Sequence, residues 1–221
     1  MCTDYITRDL PIPSNGYNEC MLTVAIQAGG QSSRMGRDKA LVELDGKALI
    51  EHVLERVQGL ADEVLITTNN PQALEHLGVS LVGDRVPGAG ALHGLETALL
   101  AAEGEAVLLL ACDAPFTSRP LLEHLAASKD HGDVIIPKHG KRFEPLQALY
   151  NRAACLPAVD QALRNGQKRM ISFFDSVNVH PVDEKIIARL DPVGLSFFNI
   201  NTEADLREAE KIINRQKQQG R

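Results

Sequence analysis

The sequence contains no tryptophan, and aromatic residues make up only 4% of its 221 residues. So few aromatic rings argue against a surface on which exposed nucleic-acid bases stack. Acidic residues outnumber basic ones and give a formal net charge of −6, so the chain lacks an overall positive field that would attract nucleic acid or an anionic membrane. We therefore expect neither nucleic acid nor a membrane among its partners.

Cysteine is scarce as well, and Cys2, Cys20, Cys112 and Cys155 are widely separated. They form no CxxC pair, and their spacing matches no zinc-binding template. Because a chain of this length buries a core large enough to fold without disulfides, we expect reduced thiols, as in a cytoplasmic protein. No apolar run reaches the roughly 18 residues that a membrane-spanning helix requires, and the start of the chain contains no signal-peptide core.

Short apolar runs alternate with amphipathic stretches along most of the chain. Runs typical of strands lie at 21–26, 63–68, 79–82, 106–111, 133–137, 144–150 and 177–182. Apolar residues at helical spacing lie at 48–60, 94–103, 119–128, 156–166 and 201–216. This alternation predicts an α/β fold with a mostly parallel sheet covered by helices on both faces. We expect one domain over residues 21–215, an irregular extension over 1–20 and a frayed tail over 216–221.

Four residues predict local structure. Ser118 is expected to cap the helix that begins at 119. Thr202 and Asp205 resemble a capping box at the start of the last helix. Pro145 predicts that its strand begins there or lies at an edge of the sheet, because proline cannot donate a hydrogen bond to a neighbouring strand.

Ligands of parallel α/β sheets bind beyond the carboxyl ends of the strands, and the first such loop is QAGGQSSRMGRDK, residues 27–39. Its glycines let the backbone approach a ligand, and consecutive N–H groups can surround an anion. Arg34, Arg37 and Lys39 concentrate positive charge there. The loop contains neither the P-loop pattern nor GxGxxG. We predict a phosphate-binding loop; the alternative is a tight turn with solvated basic residues.

Asp113 follows the most apolar predicted strand, in LLLACDAPF. A carboxylate there would repel phosphates unless it held a divalent cation, most simply Mg²⁺, which prefers oxygen ligands. The alternative is an aspartate that caps a helix or stabilises a turn. The neighbouring Cys112 is expected to be an inert, buried small side chain rather than a nucleophile.

Three further positions lie near predicted strand ends. Asp84, in LVGDRVPGAGALHGL, is a candidate hydrogen-bond acceptor for a ribose or a base, and the glycines after it could bring backbone groups to the base; an ordinary flexible loop is the alternative. Asn199 and Asn201 alternate, so both side chains are expected on one face of an extended segment, where one could ligate the metal. Helix capping is the alternative for Asn201, and both roles are compatible.

These motifs together resemble a known family. AGGQSSRMGRDKALVELDGKALIEHVL resembles the opening motif of nucleotidyltransferases with the glycosyltransferase-A type Rossmann-like fold, and CDAPF resembles their metal-binding motif. RFEPLQALYNRA, GQKRMISFF and FFNINTEADL resemble segments of the molybdenum cofactor guanylyltransferase branch. The likeness extends over residues 22–212. It implies a three-layer α/β/α nucleotidyltransferase fold and transfer of GMP from GTP to the terminal phosphate of Mo-molybdopterin, with release of pyrophosphate.

The resemblance also implies roles for individual residues. Those that it places around the nucleotide are Gln27, Ala28, Gly29, Lys39, Thr67 or Asn69, Asp84 and Asp113; from the glycine loops themselves we expect Gly30, Gly88 and Gly94 at the same site. Asp113 would bind Mg²⁺, while Lys39 and Arg34 would stabilise the departing pyrophosphate. Asn199 and Asn201 would lie near the metal and the second substrate.

Some residues depart from the family pattern, so other functions remain open. Gln27 stands where many relatives have leucine, Ala91 where proline is expected, and Thr67 where some have asparagine. These departures affect the expected contacts with the nucleobase more than the expected chemistry of nucleotidyl transfer. The alternatives are cytidylyl transfer to molybdopterin, nucleotidyl transfer to a sugar or alcohol phosphate, and a non-catalytic nucleotide-binding protein that hands a cofactor to a molybdoenzyme or another biosynthesis protein.

Overall fold

The computed structural model describes residues 18–28 and 38–219. The strands in these ranges are β1 (Asn18–Gln27), β2 (Glu43–Leu44), β3 (Lys47–Ala48), β4 (Glu63–Thr68), β5 (Ser80–Gly83), β6 (Gly104–Ala111), β7 (Val134–His139), β8 (Arg142–Phe143), β9 (Gln147–Asn151) and β10 (Val179–Val182). The α-helices are α1 (Leu49–Val57), α2 (Ala91–Ala101), α3 (Arg119–Ala127), α4 (Arg152–Arg164), α5 (Glu184–Leu190) and α6 (Glu203–Gln219). A 3₁₀ turn, Lys39–Leu41, precedes β2.

The central sheet has the strand order β10-β7-β9-β6-β1-β4-β5, with β8 paired to β7. Strand β1 pairs in parallel with β4 and β6, β4 pairs in parallel with β5, and β7 with β10. Only the insertion of β9 between β6 and β7 is antiparallel within this strand order. The predicted mostly parallel sheet is confirmed.

Helices cover both faces of this sheet because its central strands are apolar on both sides. In β1, Val24 and Ile26 pack with α1, α3 and α5, whereas Ala25, between them, packs with α2 and α4. Consecutive strand residues point to opposite faces, and this is why the strand is an uninterrupted apolar run rather than an alternating one. Three layers, α/β/α, result, as predicted. A third cluster joins α6 to the β2–β3 hairpin through residues such as Leu44 and Ala209.

The predicted boundaries need correction at both ends. Strand β1 begins at Asn18, before the expected start of the domain at residue 21. Helix α6 extends to Gln219, into the segment expected to be frayed. A salt bridge from Lys217 to Asp45, at 2.7 Å, attaches the end of this helix to the β2–β3 turn.

The structure differs in part from the local predictions made for Ser118 and Pro145. Ser118 does occupy the N-cap position of α3, but its hydroxyl donates to the carbonyl oxygen of Leu190 at 2.6 Å instead of accepting from the helix. Pro145 lies before β9, which is an internal strand and not an edge. Of the two alternatives predicted for Pro145, the edge strand is wrong, whereas a position close to the start of its strand agrees with the structure, in which the proline precedes the hydrogen-bonded ladder.

Cys112 and Cys155 are buried free thiols, as expected. Burial raises the pKa of both thiols, that of Cys155 to about 12. Neither is therefore a thiolate at neutral pH. Cys2 lies outside the described residues. Across residues 18–28 and 38–219, no helix is both long and apolar enough to cross a bilayer.

Candidate active site

The predicted ligand-binding loops meet at one edge of the sheet because their strands end in register. Gln27, the last residue of β1, pairs with Thr67 of β4 on one side and with Ala111 of β6 on the other. Beyond the strands, the amide of Ala28 donates to the carbonyl oxygen of Thr67 at 2.8 Å, and the amide of Cys112 donates to that of Gln27 at 3.2 Å. The segments that follow β1, β4 and β6 are therefore held side by side.

A cavity of about 530 Å³ opens at this edge. Its lining residues are Gln27, Lys39, Asn69, Asp84, Pro87, Gly88, Gly90, Ala91, Ala111, Cys112, Asp113 and Leu146. Six of the residues predicted around the nucleotide are in this set: Gln27, Lys39, Asn69, Asp84, Gly88 and Asp113. The volume lies within the usual range for small-molecule sites. Pro87, Ala91 and Leu146 were not predicted, since apolar loop residues give no chemical signal in a sequence.

Lys39 joins two distant parts of the chain at one end of the site. Its ammonium group donates to Oδ2 of Asp113 at 2.9 Å and to Oδ1 of Asn201 at 2.6 Å. Asp113 is only 8% exposed, so its charge is partly removed from water and is compensated mainly by Lys39. Asp38 positions the lysine by accepting a hydrogen bond from the amide of Ala40 at 3.1 Å, which caps the 3₁₀ turn.

Helix α6 holds Asn201 in this position. The Asp205 carboxylate accepts from the amides of Asn201 and Thr202 at 3.0 and 2.8 Å, and the Asp205 amide donates to Oγ1 of Thr202 at 3.2 Å. The predicted capping box is therefore confirmed. Partial burial opposes ionisation of Asp205, but the hydrogen bonds from Thr202 and from the two amides lower its pKa overall. The amide of Ile200 also donates to the carbonyl oxygen of Asp113 at 2.9 Å, so this segment is bonded directly to the end of β6.

Asp84 and Gln27 both line the cavity, and each has a buried acceptor without a hydrogen-bond partner among the described residues. Oδ1 of Asp84 is buried and has no hydrogen-bond partner among the described residues. Burial raises the pKa of this carboxyl group, while a hydrogen bond with Asn69 opposes the shift. Nε2 of Gln27 donates to the carbonyl oxygen of Ala91 at 3.0 Å, which fixes the orientation of the side-chain amide. Its Oε1 is buried and has no hydrogen-bond partner among the described residues. Nδ1 of His93, in the first turn of α2, is likewise buried and without a hydrogen-bond partner among the described residues.

Gly94 lies directly against the side chain of Gln27. It is not among the cavity-lining residues. A Cβ at this position would lie 1.5 Å from Nε2 of Gln27. The glycine therefore makes room for the Gln27 side chain, which in turn borders the cavity.

The remaining predicted residues are placed as follows. Ala28 is 4% exposed and Thr67 is fully buried, and neither side chain lines the cavity. Asn199 contributes its backbone carbonyl, which accepts from Nδ2 of Asn201 at 3.4 Å. Gly29, Gly30 and Arg34 lie outside the described residues.

The donor set at Lys39 fits a metal ion that arrives with phosphate groups. Over residues 18–28 and 38–219, no three His, Cys, Asp or Glu residues form a metal-binding group. A dedicated protein cage is therefore not formed there. Mg²⁺, however, commonly uses one or two protein oxygens together with phosphates and waters, and Asp113 with Asn201 would supply such oxygens.

A second cavity was not predicted. It measures about 520 Å³ and is lined by Phe143, Gln167, Lys168, Arg169, Ile171, Ser172, Phe174 and Asp175. Most of these residues belong to GQKRMISFF and the residue that follows it, a segment that carried the family resemblance without an assigned role. The two adjacent basic residues, Lys168 and Arg169, are the feature of the sequence that could have indicated this cavity.

Comparisons with known proteins agree with this geometry. Residues 24–209 match the family described as MobA-like NTP transferase domain. A probable molybdenum cofactor guanylyltransferase from Pelotomaculum thermopropionicum is 35% identical, covering 85% of this chain and 91% of that protein. A molybdenum cofactor guanylyltransferase from Desulfosudis oleivorans is 34% identical, with coverage of 87% and 96%.

Solved structures show the same relationship. The crystal structure of molybdopterin-guanine dinucleotide biosynthesis protein A from Archaeoglobus fulgidus superposes with a TM-score of 0.76 at 31% identity, covering 87% of this chain and 99% of that one. A 2-C-methyl-D-erythritol 4-phosphate cytidylyltransferase from Thermus thermophilus shares the fold, with a TM-score of 0.66 at 21% identity and coverage of 88% and 99%. With the matched residues spanning nearly the whole sheet and its site, this chain belongs to the nucleotidyltransferases of the MobA-like NTP transferase domain family.

Proposed function

We propose that this protein transfers GMP from GTP to the terminal phosphate of Mo-molybdopterin, which gives molybdopterin guanine dinucleotide and pyrophosphate. The observation that carries the proposal is the contact of Lys39 with Asp113 and Asn201 at the end of the large cavity. The names of the relatives from Pelotomaculum and Desulfosudis support the choice of guanine and of the molybdenum cofactor.

The proposed reaction asks little covalent chemistry of the protein. An oxygen of the acceptor phosphate forms a bond to the α-phosphorus of GTP, and the bond between the α-phosphorus and the bridging oxygen breaks, so that pyrophosphate leaves with the electron pair. The nucleophile is already an anion and needs no side-chain base. The protein must align two phosphates and compensate their charge. Among the described residues, Lys39 is a cationic side chain that lines the cavity and is proposed to do this. Arg34 is proposed to assist it.

Mg²⁺ is proposed to be held by Asp113, with Asn201 as a further oxygen donor. When bound, the ion would compensate phosphate charge and orient the substrates. Lys39 would bind the β- and γ-phosphates, and the Asp205 carboxylate would keep the segment around Asn201 in place. Asn199 is proposed to contribute through its backbone next to the second substrate.

Guanine is proposed to bind at the end of the cavity formed by Asp84 and Gln27. Guanine presents two adjacent donors, N1–H and the N2 amino group, and the unpaired Oδ1 of Asp84 and Oε1 of Gln27 are both acceptors. A buried acceptor that remains unpaired costs free energy, so a base that supplies donors is favoured over one that presents an acceptor at the same position. Asn69, Gly88 and the backbone of Ala28, Gly29 and Gly30 are proposed to complete the nucleotide site, next to the buried Thr67 in the case of Ala28.

Pyrophosphate release tests this function. The protein is incubated with Mg²⁺, Mo-molybdopterin and each of GTP, CTP, ATP and UTP in turn, and the dinucleotide is identified by mass spectrometry. We expect pyrophosphate and a guanine dinucleotide only in the incubation that contains GTP. Equal turnover with CTP would move the activity to cytidylyl transfer. Binding of GTP without any pyrophosphate in the presence of both substrates would overturn the enzymatic proposal in favour of a nucleotide-binding carrier.

A further inference from the structure

We propose that Lys39 holds the place of the divalent cation on Asp113 until a nucleoside triphosphate binds, so that nucleotide and metal enter together. This inference rests on the proposed function only in that the site is taken to bind a nucleoside triphosphate with a divalent cation. It assigns Asn201 a further role as a positioning residue, which keeps the ammonium group of Lys39 on the carboxylate.

The geometry makes the ammonium group and a metal ion competitors. Among the described residues, Oδ2 of Asp113 and Oδ1 of Asn201 are the side-chain oxygens that contact the ammonium group of Lys39. Lys39 donates to both of them, at 2.9 and 2.6 Å. A cation that binds Asp113 must therefore displace a hydrogen-bonded ammonium group that is itself mostly shielded, with 18% of its side chain exposed.

A bound triphosphate changes this balance. Its β- and γ-oxygens offer the ammonium group strong acceptors outside the protein, while they also supply ligands to the metal ion. Lys39 can then leave Asp113 without losing its charge compensation, and the metal can replace it without leaving a carboxylate unpaired. Neither exchange is favourable alone, because each would leave a partly buried charge without a partner.

Asn201 separates this proposal from a simpler one. If Asn201 were only a metal ligand, its removal would weaken cation binding. If its anchoring of Lys39 outweighs the oxygen that it could give the metal, its removal loosens the competing ammonium group and strengthens cation binding on balance, although no charge has changed. The residue is exposed and is held by Asp205 through its backbone amide, so replacement of its side chain leaves that bond available.

The experiment measures binding of Mn²⁺ alone, without nucleotide, by electron paramagnetic resonance of the free ion. The variants are Asn201→Ala and Lys39→Met, with Lys217→Met as the control for loss of a lysine elsewhere. Since a hydrogen bond to a charged group contributes more than a neutral one, we expect Mn²⁺ to bind roughly ten- to a hundred-fold more tightly to Lys39→Met. For Asn201→Ala we expect a smaller increase in affinity, about three- to ten-fold. Lys217→Met should bind Mn²⁺ like the wild type.

Unchanged or weaker binding of Mn²⁺ to Asn201→Ala would overturn the proposal, even if Lys39→Met binds more tightly, since loss of the lysine charge alone would explain the latter. An Asp113→Asn change in the Lys39→Met background should remove the gain, which identifies Asp113 as the competing ligand. No substrate is present in these measurements. The guanylyltransferase proposal is judged by pyrophosphate release, so a failure of one proposal can be distinguished from a failure of the other.

Discussion

The amide nitrogen of Gln27 occupies the space that a side chain on Gly94 would need. Nε2 of Gln27 lies 1.5 Å from the position of a Cβ on Gly94 and donates to the carbonyl oxygen of Ala91, one turn earlier in α2. The end of β1 and the start of α2 are thus fitted to each other through one side chain. This contact fixes the orientation of the amide that borders the cavity.

A Gly94→Ala substitution should therefore displace Gln27. We expect the free energy of unfolding to fall by about 1–3 kcal/mol, the usual cost of inserting a methyl group into a packed site. Affinity for GTP should fall as well, because the Gln27 amide must move. Chemical denaturation and nucleotide titration measure the two effects.

Gly83 provides the matched control for this substitution. A Cβ there would meet no atom within 4 Å, so Gly83→Ala should change stability by less than about 0.5 kcal/mol. If the collision is the cause, combining Gly94→Ala with Gln27→Ala should recover part of the lost stability. Additive losses in the double variant would contradict this explanation.

The sequence predicted the main elements of the fold because its strands are apolar runs with clear ends. It did not predict the β2–β3 hairpin or α5, since strands of two residues and a helix of seven present too little periodicity. Pro145 indicated the start of its strand but not the position of that strand in the sheet, because a proline signals only the absence of one donor.

The site was predictable in part. Strand topology and the family resemblance indicated that Lys39, Asp113 and Asn201 belong to one region, although 162 residues separate the first from the last. That Lys39 would contact both partners depends on side-chain geometry, which no spacing encodes. The fit of Gly94 to Gln27 was equally hidden, because a glycine in a site loop suggests room for a ligand rather than for another side chain.

Removal of the Asp113 carboxylate should abolish activity and largely spare the fold. We expect Asp113→Ala to reduce kcat by at least about 100-fold, in the range seen when one preorganised electrostatic group is lost. The carbonyl of Asp113 would still accept from the amide of Ile200, and Lys39 would still donate to Asn201. Pyrophosphate release and a melting curve measure the two effects; a variant that keeps wild-type turnover would contradict the role given to Asp113.

Asp84 should make the protein less stable as pH rises. Burial raises its pKa above the usual 3.8, so between that value and the raised one the folded state binds more protons than the unfolded state. The free energy of unfolding then falls with increasing pH through this window. We expect Asp84→Asn, which removes the charge and keeps the shape, to gain stability relative to the wild type across the window. Denaturation at a series of pH values checks this, and a constant difference would contradict it.

The same Asp84→Asn change should weaken GTP binding, because it removes the charge and turns one carboxylate oxygen into an NH₂ donor, while the remaining oxygen is expected to keep the hydrogen bond with Asn69. In a melting scan with Mg²⁺, a ligand at about 100 times its Kd adds roughly 2.7 kcal/mol, and each kcal/mol shifts Tm by about 2–4 °C for a domain of this size. We expect GTP to raise the Tm of the wild type, with smaller shifts for CTP, ATP and UTP. Asp84→Asn should lose the preference for GTP, whereas Lys39→Ala should lose the shift with every nucleotide, because the lysine is proposed to contact phosphates that all four share. If the two variants instead lost the same shifts, the division of the cavity into a base end and a phosphate end would be wrong.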